Sequence, residues 1–247
     1  MNESRRNGIT WAFVAVTILI VAVMLFSSLQ SPEPIQLPVT EMTQEQNPDE
    51  STGDALTVIE VTPKTVQAAI ASLDRPEKYS RKVTIEQLWS GGSSSWEAVV
   101  AVRDGWTRTD RNIPGGQVRH TLTDGETTHI WYNSDTQVYT TAAGEITADM
   151  EQGIPTYEDI LRLPSDRISA ADYREISGVN CIYVETTADE AGYILRYWVS
   201  VENGLLTAAE KLESEKTVYR MASLAVEETV PADELFTLPD GTLLLAE

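Results

Sequence analysis

The sequence predicts an α+β protein: an N-terminal transmembrane helix followed by a curved antiparallel sheet with a few helices on its concave side. Three observations carry this expectation. An uncharged apolar run lies near the N-terminus, a helix-period apolar stripe follows an acidic proline-containing stretch, and most of the remaining chain alternates with period two between hairpin dipeptides.

The apolar run is WAFVAVTILIVAVMLF, from Trp11 to Phe26, with Thr17 as its polar interruption. Extended to residues 8–27 it rises about 30 Å as a helix, which matches the ~30 Å hydrocarbon core of a bilayer. Ten of the sixteen residues from Trp11 to Phe26 are Leu, Ile, Val or Phe, each favourable near the bilayer centre by about 0.3–0.6 kcal/mol. Arg5 and Arg6 precede the run, and no Lys or Arg follows until Lys64. The positive-inside rule therefore places residues 1–7 in the cytoplasm and the rest of the chain outside it, in a single-pass cell-membrane protein. A cleaved signal peptide, with Ser27 and Ser28 near the cut, is the competing reading; it too exports the remainder.

Residues 28–61 contain Pro32, Pro34, Pro38 and Pro48 among seven acids and no base. Such a segment buries too little to fold and reads as a self-repelling tether. Residues 62–247 then form the extracytoplasmic domain. Thr62 and Pro63 mark a helix start, with Val66, Ala69, Ile70 and Leu73 on one stripe. Strands are expected near residues 82–90, 95–103, 105–111, 117–123, 127–133 and 137–141. Between them lie Gly91-Gly92, Asp104-Gly105, Gly115-Gly116 and Asp124-Gly125. Residues 147–171 break the alternation around a short helical piece, Tyr157 to Leu163. The pattern then resumes, most clearly at Tyr193, Leu195, Tyr197, Val199 and Val201 on one side.

Composition narrows the function. Eighteen bases against 38 acids give a formal charge of -20, which repels phosphate backbones and argues against nucleic acid. His120 and His129 are the only histidines and Cys181 the only cysteine, so neither a zinc ligand set nor an internal disulfide is expected. Cys181 sits in the apolar strand VNCIYVET and reads as a small hydrophobe. GGSSSW is a hairpin tip, not a G-x-S-x-G elbow, and no glycine-rich phosphate loop occurs. Thirty of the acids lie in residues 62–247, so their spacings carry no diagnostic weight. The chain is expected to be non-enzymatic and to need no cofactor.

The aromatics are more informative, because Trp89, Trp96, Trp106, Trp131, Tyr183 and Tyr197 all fall in strand candidates. A curved sheet with few helices has difficulty filling its inner face, so these residues are core or the lining of an apolar groove.

Four segments, in order, resemble the LolA-like superfamily of lipoprotein carriers, RseB-type anti-sigma partners and Gram-positive sporulation lipoproteins. They are a helix and strand ending at Trp89; DGWTRTD, Asp104 to Asp110; the hairpin LTDGETTHIWYNSDTQVY, Leu122 to Tyr139; and ELFTLPDG, with Phe236, Pro239 and Gly241. The resemblance spans about residues 62–240. It implies an incomplete β-barrel with a helical cover, enclosing an apolar cavity for acyl chains or presenting a sensing surface for envelope proteins. It also implies that Arg108 faces or borders that cavity. Trp89, Trp96, Trp106, Arg108, Trp131, Tyr183 and Tyr197 are the resulting groove candidates. A lipid or lipoprotein acyl chain is the expected ligand, with an envelope protein partner as the alternative.

Overall fold

In the computed structural model, residues 60–113, 115–133, 135–144 and 153–245 are described. The expected anchor at 8–27 and tether at 28–61 lie outside them, apart from the tether's last two residues. No helix among the described residues is long and apolar enough to cross a membrane.

Two meanders make one sheet. Strands β1 (Tyr79–Trp89), β2 (Gly92–Arg103), β3 (Trp106–Ile113), β4 (Gln117–Thr123), β5 (Thr127–Tyr132) and β6 (Tyr139–Ala142) form the first. The second is built of β7 (Ile168–Ile176), β8 (Val179–Thr186), β9 (Tyr193–Ser200), β10 (Leu206–Glu213) and β11 (Lys216–Ala222). Pairing of β1 with β11 joins them in the order β6-β5-β4-β3-β2-β1-β11-β10-β9-β8-β7. A two-residue β12 (Val226–Glu227) continues along β1 where β11 leaves it. All described pairings are antiparallel, and the ends of the path do not meet, so the curved sheet stays open.

Local chemistry sets the hairpins. Asp104 and Gly105 both take positive φ, 50° and 82°, as the tightest hairpin turns require. Ser177-Gly178 and Ser214-Glu215 do the same without the expected dipeptide, at φ values of 52° and 82° and of 48° and 66°. The strand from Ile168 also exceeds the sequence expectation, which treated residues up to 171 as a break.

The helices are short. Winding starts at Thr62, whose carbonyl accepts from Val66 N–H at 2.9 Å, and α1 proper runs from Val66 to Ala71. Helix α2 spans Tyr157–Arg162, and its N-terminus is closed by Asp159, whose carboxylate accepts from Thr156 N–H at 3.0 Å.

Both helices pack on one face of the sheet, here the helix face. Val66, Ala69 and Ile70 of α1 and Ile160 of α2 join Val83, Ile85, Ala98, Val100, Ile182, Val184, Val199, Leu206 and Met221 in the main core. Strand parity sends alternate residues to the outer face. There a second core of Ala101, Leu122 and Trp131 is closed by Phe236 and Leu245 from the C-terminal segment, which winds through a 3-10 turn at Asp233–Phe236. The helices therefore cover one face, as expected, and the tail covers part of the other.

The turn between β9 and β10 ties the sheet to α1. Gly204 has φ 64°, and a Cβ there would lie 2.8 Å from both the Asp74 carbonyl and Arg75 Cγ. Gly204→Ala is expected to lower unfolding free energy by about 2–3 kcal/mol through left-handed strain and backbone collision. Urea denaturation checks this: the midpoint falls while the slope is unchanged.

Candidate functional site

Two side chains set where the helices sit, and thereby shape a hollow on the helix face. Gln67 of α1 donates from Nε2 to the Ile160 and Leu163 carbonyls at 2.9 and 2.8 Å, and to Leu161 at 3.3 Å. It satisfies the orphan carbonyls at the end of α2. Arg75 does the same for α1, donating from Nη2 to Ile70 O at 2.6 Å and from Nη1 to Leu73 O at 2.8 Å. Its Nε reaches Gly204 O at 3.1 Å. The Arg75 guanidinium also lies 3.7 Å over the Tyr157 ring, so one cation binds the end of α1, the β9–β10 turn and the start of α2.

Beside this junction is a cavity of about 240 Å³. Tyr79, Val102, Leu205 and Leu206 supply apolar wall, Arg75 and Tyr157 one lip, and Thr107 the way onto β3. Arg81 crosses its floor, almost wholly buried, and donates from Nη1 to Leu206 O at 3.2 Å. A wider hollow of about 450 Å³ lies where β12 leaves β11, lined by Lys82, Val99, Leu224 and Ala225. Its apolar residues Val99 and Leu224 are 48% and 47% exposed, so its wall is open to solvent and the helix-face cavity is the stronger candidate.

The groove candidates divide between the faces. Trp96 and Tyr197 are on the helix face: Tyr197 is buried in the main core and Trp96 packs against it. Burial, with the Asp159 charge, pushes the Tyr197 phenol well above its ordinary pKa, so it stays neutral. Trp89 shares that face by parity but stands at the β1–β2 tip, 56% exposed. Trp106, Arg108 and Trp131 are on the outer face under the C-terminal segment, and Tyr183 is on the outer side of β8, its ring tilted against Trp198 at 5.1 Å. None of the seven lines the cavity; Tyr79, Tyr157, Arg75 and Arg81 do. Alternation along β1 could have signalled Tyr79, two residues before Arg81 on the face of Val83. Tyr157 and Arg75 lie outside the alternating strands and gave no such signal.

Arg108, itself buried, anchors a part-buried ionic group on the outer face. Asp110 accepts from Arg108 Nε and lies 2.8 Å from His120 Nδ1, and Arg108 Nη1 donates to Leu235 O at 3.0 Å. The His120 ring stacks on Trp131 at 5.3 Å, and the Arg108 guanidinium lies 4.5 Å over that indole. Burial raises the Asp110 pKa, but hydrogen bonds from His120 and Arg108 outweigh it and hold the carboxyl below its usual range. Arg103 adds a second tie, donating to Pro231 O at 2.8 Å and to Asp233 at 2.5 Å. These contacts seat the tail.

Tyr183 belongs to another outer-face cluster. Its hydroxyl donates to Glu185 at 2.6 Å, Arg196 pairs with the same carboxylate at 2.7 Å, and Arg174 lies 3.5 Å over the ring. Burial and the neighbouring carboxylate push its phenol up to about 12. Cys181, one register step away, is buried and its thiol is pushed up to about 11, so it stays protonated and unreactive at neutral pH. No group of three metal-ligating residues occurs among the described residues.

No protein-family model and no curated protein matches the chain. Several solved structures are similar to it at low identity. MucB, solved in complex with MucA(peri), is 17% identical with a TM-score of 0.43, over 70% of this chain and 58% of that one. The chain thus spans little more than half of MucB. A LolA superfamily protein from Nitrosomonas europaea is 12% identical with a TM-score of 0.34, over 71% of this chain and 97% of that one. The Mycobacterium tuberculosis lipoprotein LppX is 11% identical with a TM-score of 0.37, over 69% and 94%.

Two predictions follow from the capping and the ionic group. Gln67→Ala takes the side-chain donor from the Leu161 and Leu163 carbonyls and leaves Ile160 O with the Leu163 N–H alone; it is expected to cost about 1–3 kcal/mol, read by thermal unfolding. Asp110→Asn strands the buried Arg108 and is expected to cost about 3 kcal/mol at pH 7. Because the folded Asp110 pKa is depressed, its contribution is present above the unfolded value near ~4 and is lost as pH falls through the folded value. Unfolding free energy should therefore fall less steeply below about pH 4 in the variant than in the parent chain.

Proposed function

We propose that this chain is a non-enzymatic, membrane-tethered binding module outside the cytoplasm, accepting the apolar chain of a lipid or lipid-modified protein at the helix-face cavity. The observation that carries the reading is the lining of that cavity. Leu205, Leu206, Val102 and Tyr79 give an apolar wall, while Arg75, fixed by three carbonyl contacts, and Tyr157 form a polar and aromatic lip. An apolar wall with a few fixed polar groups is the usual make-up of a small-molecule site. The apolar run at 8–27 and the acidic stretch at 28–61 support a tether.

A second reading, capture of an envelope protein partner, is favoured by how well the helices fill their face. Val66, Ile70, Ile160, Ile182, Val199 and Met221 are all fully buried, and the remaining cavity of about 240 Å³ is below the roughly 300–1,000 Å³ of typical ligand pockets. Such a cavity admits a segment of an acyl chain rather than a whole lipid.

The test is photo-crosslinking of the full-length chain in nanodiscs with a diazirine fatty acid, followed by peptide mapping. Labelling at Tyr79, Val102 or Tyr157, reduced severalfold by Leu206→Gln, is the expected result. Labelling confined to residues 8–27 would overturn the lipid reading and leave the partner reading standing.

A further inference from the structure

The helix face of β3–β5 differs from the apolar face that the helices cover. Arg111 and Arg119 stand directly opposite each other on β3 and β4. Like charges so placed in an antiparallel pair are destabilising unless something compensates them. In a chain with 38 acids and 18 bases, acidic partners are not scarce. Most of the other described arginines face a carboxylate or a backbone carbonyl. Arg103, Arg108, Arg174, Arg196 and Arg220, for example, all meet carboxylates.

Among the described residues this pair meets neither. The Arg111 guanidinium lies 3.9 Å over the Trp96 ring, and the Nε atoms of both arginines are buried with no hydrogen-bond partner among the described residues. Burial, together with the Arg119 charge, holds the Arg111 pKa below its ordinary value. The next same-face pair along the register is Thr109 opposite Thr121. Both are fully buried, and both hydroxyls lack a partner among the described residues. Buried polar groups are nearly always satisfied, so four such atoms on one patch of sheet point to a ligand that satisfies them.

We propose that Arg111 and Arg119, with the hydroxyls of Thr109 and Thr121, form a binding site for a phosphate group. Phosphate fits better than a carboxylate: a carboxylate's two oxygens lie in one plane, whereas a phosphate spreads its oxygens in three dimensions and can meet two guanidinium forks and added hydroxyl donors at once. The chain's net charge repels free anions, so the group is best delivered on a molecule that gains binding energy elsewhere. Two features indicate an amphiphile. Tyr132, opposite Arg119, and Tyr139, opposite Ile130, leave exposed rings on this face, the side chain suited to a boundary between apolar and wet surroundings. Four residues back along β3 from Arg111, about 13 Å away, Thr107 lines the apolar cavity. This amphiphile arm rests on the lipid reading of that cavity; the phosphate site itself does not.

The test is calorimetry on the full-length chain in a non-ionic detergent, with dioctanoyl phosphatidic acid, dioctanoylglycerol and inorganic phosphate as probes. Phosphatidic acid is expected to bind more tightly than dioctanoylglycerol by roughly ten- to a hundredfold. Arg111→Gln and Arg119→Gln each remove most of that difference while leaving dioctanoylglycerol binding unchanged. Both substitutions should also raise the melting temperature, since each relieves like-charge repulsion; arginines with a purely structural role would lower it. Equal affinity for the two lipids, unaltered by either substitution, overturns the phosphate site and leaves the cavity reading intact. Binding of inorganic phosphate alone, lost in both variants, upholds the site with free phosphate as its source and overturns the lipid reading. Binding of no probe overturns both.

Discussion

The architecture depends on two side chains that close the ends of two six-residue helices. A helix of that length does not persist in water, because nucleation costs more than one turn of hydrogen bonds returns. Here each helix ends in carbonyls that a side chain satisfies: Gln67 from α1 closes α2, and Arg75, just past α1, closes α1 itself. Arg75 also reaches the β9–β10 turn and the Tyr157 ring. The two helices are thus fixed to each other and to the second meander at once, and the space beside them, bounded by Tyr79, Val102 and Leu206, follows from that fixation.

Strand parity then distributes the chemistry. On the helix face, β1, β2 and β8–β11 present aliphatic residues to the helices, whereas β3 and β4 present threonines and arginines. On the outer face the first meander buries Leu122 and Trp131 under the C-terminal segment, and an Arg108–Asp110–His120 group lies part-buried beside it. Neighbouring residues on one strand therefore serve different purposes. Arg108 seats the tail, while Thr109 beside it faces the opposite way, toward the arginine pair.

Much of the fold was legible. The alternation at Val83, Ile85 and at Trp96 to Val102 gave the correct faces, and Asp104-Gly105 and Asp124-Gly125 marked real hairpin turns. The turn at Ser214-Glu215 was not, because neither residue type advertises a positive φ and the surrounding pairing imposes it. The site was less legible. Aromatics in strands were readable as buried or half-buried, but which face each one joined depended on register, and Trp106, Trp131 and Tyr183 lie opposite the helices. The residues that line the cavity come from strand starts and helix flanks, where periodicity is silent. That Arg111 and Arg119 would stand opposite one another was hidden until the β3–β4 register was known.

The protected state of Cys181 has a practical corollary. As the sole sulfhydryl, and one shielded within β8 and kept in its protonated form, it leaves the natural chain nearly silent toward maleimides and similar alkylating reagents at neutral pH. A single cysteine introduced on the exposed surface would then carry a fluorophore or spin probe almost alone, so movements of either meander could be followed without first rebuilding the interior.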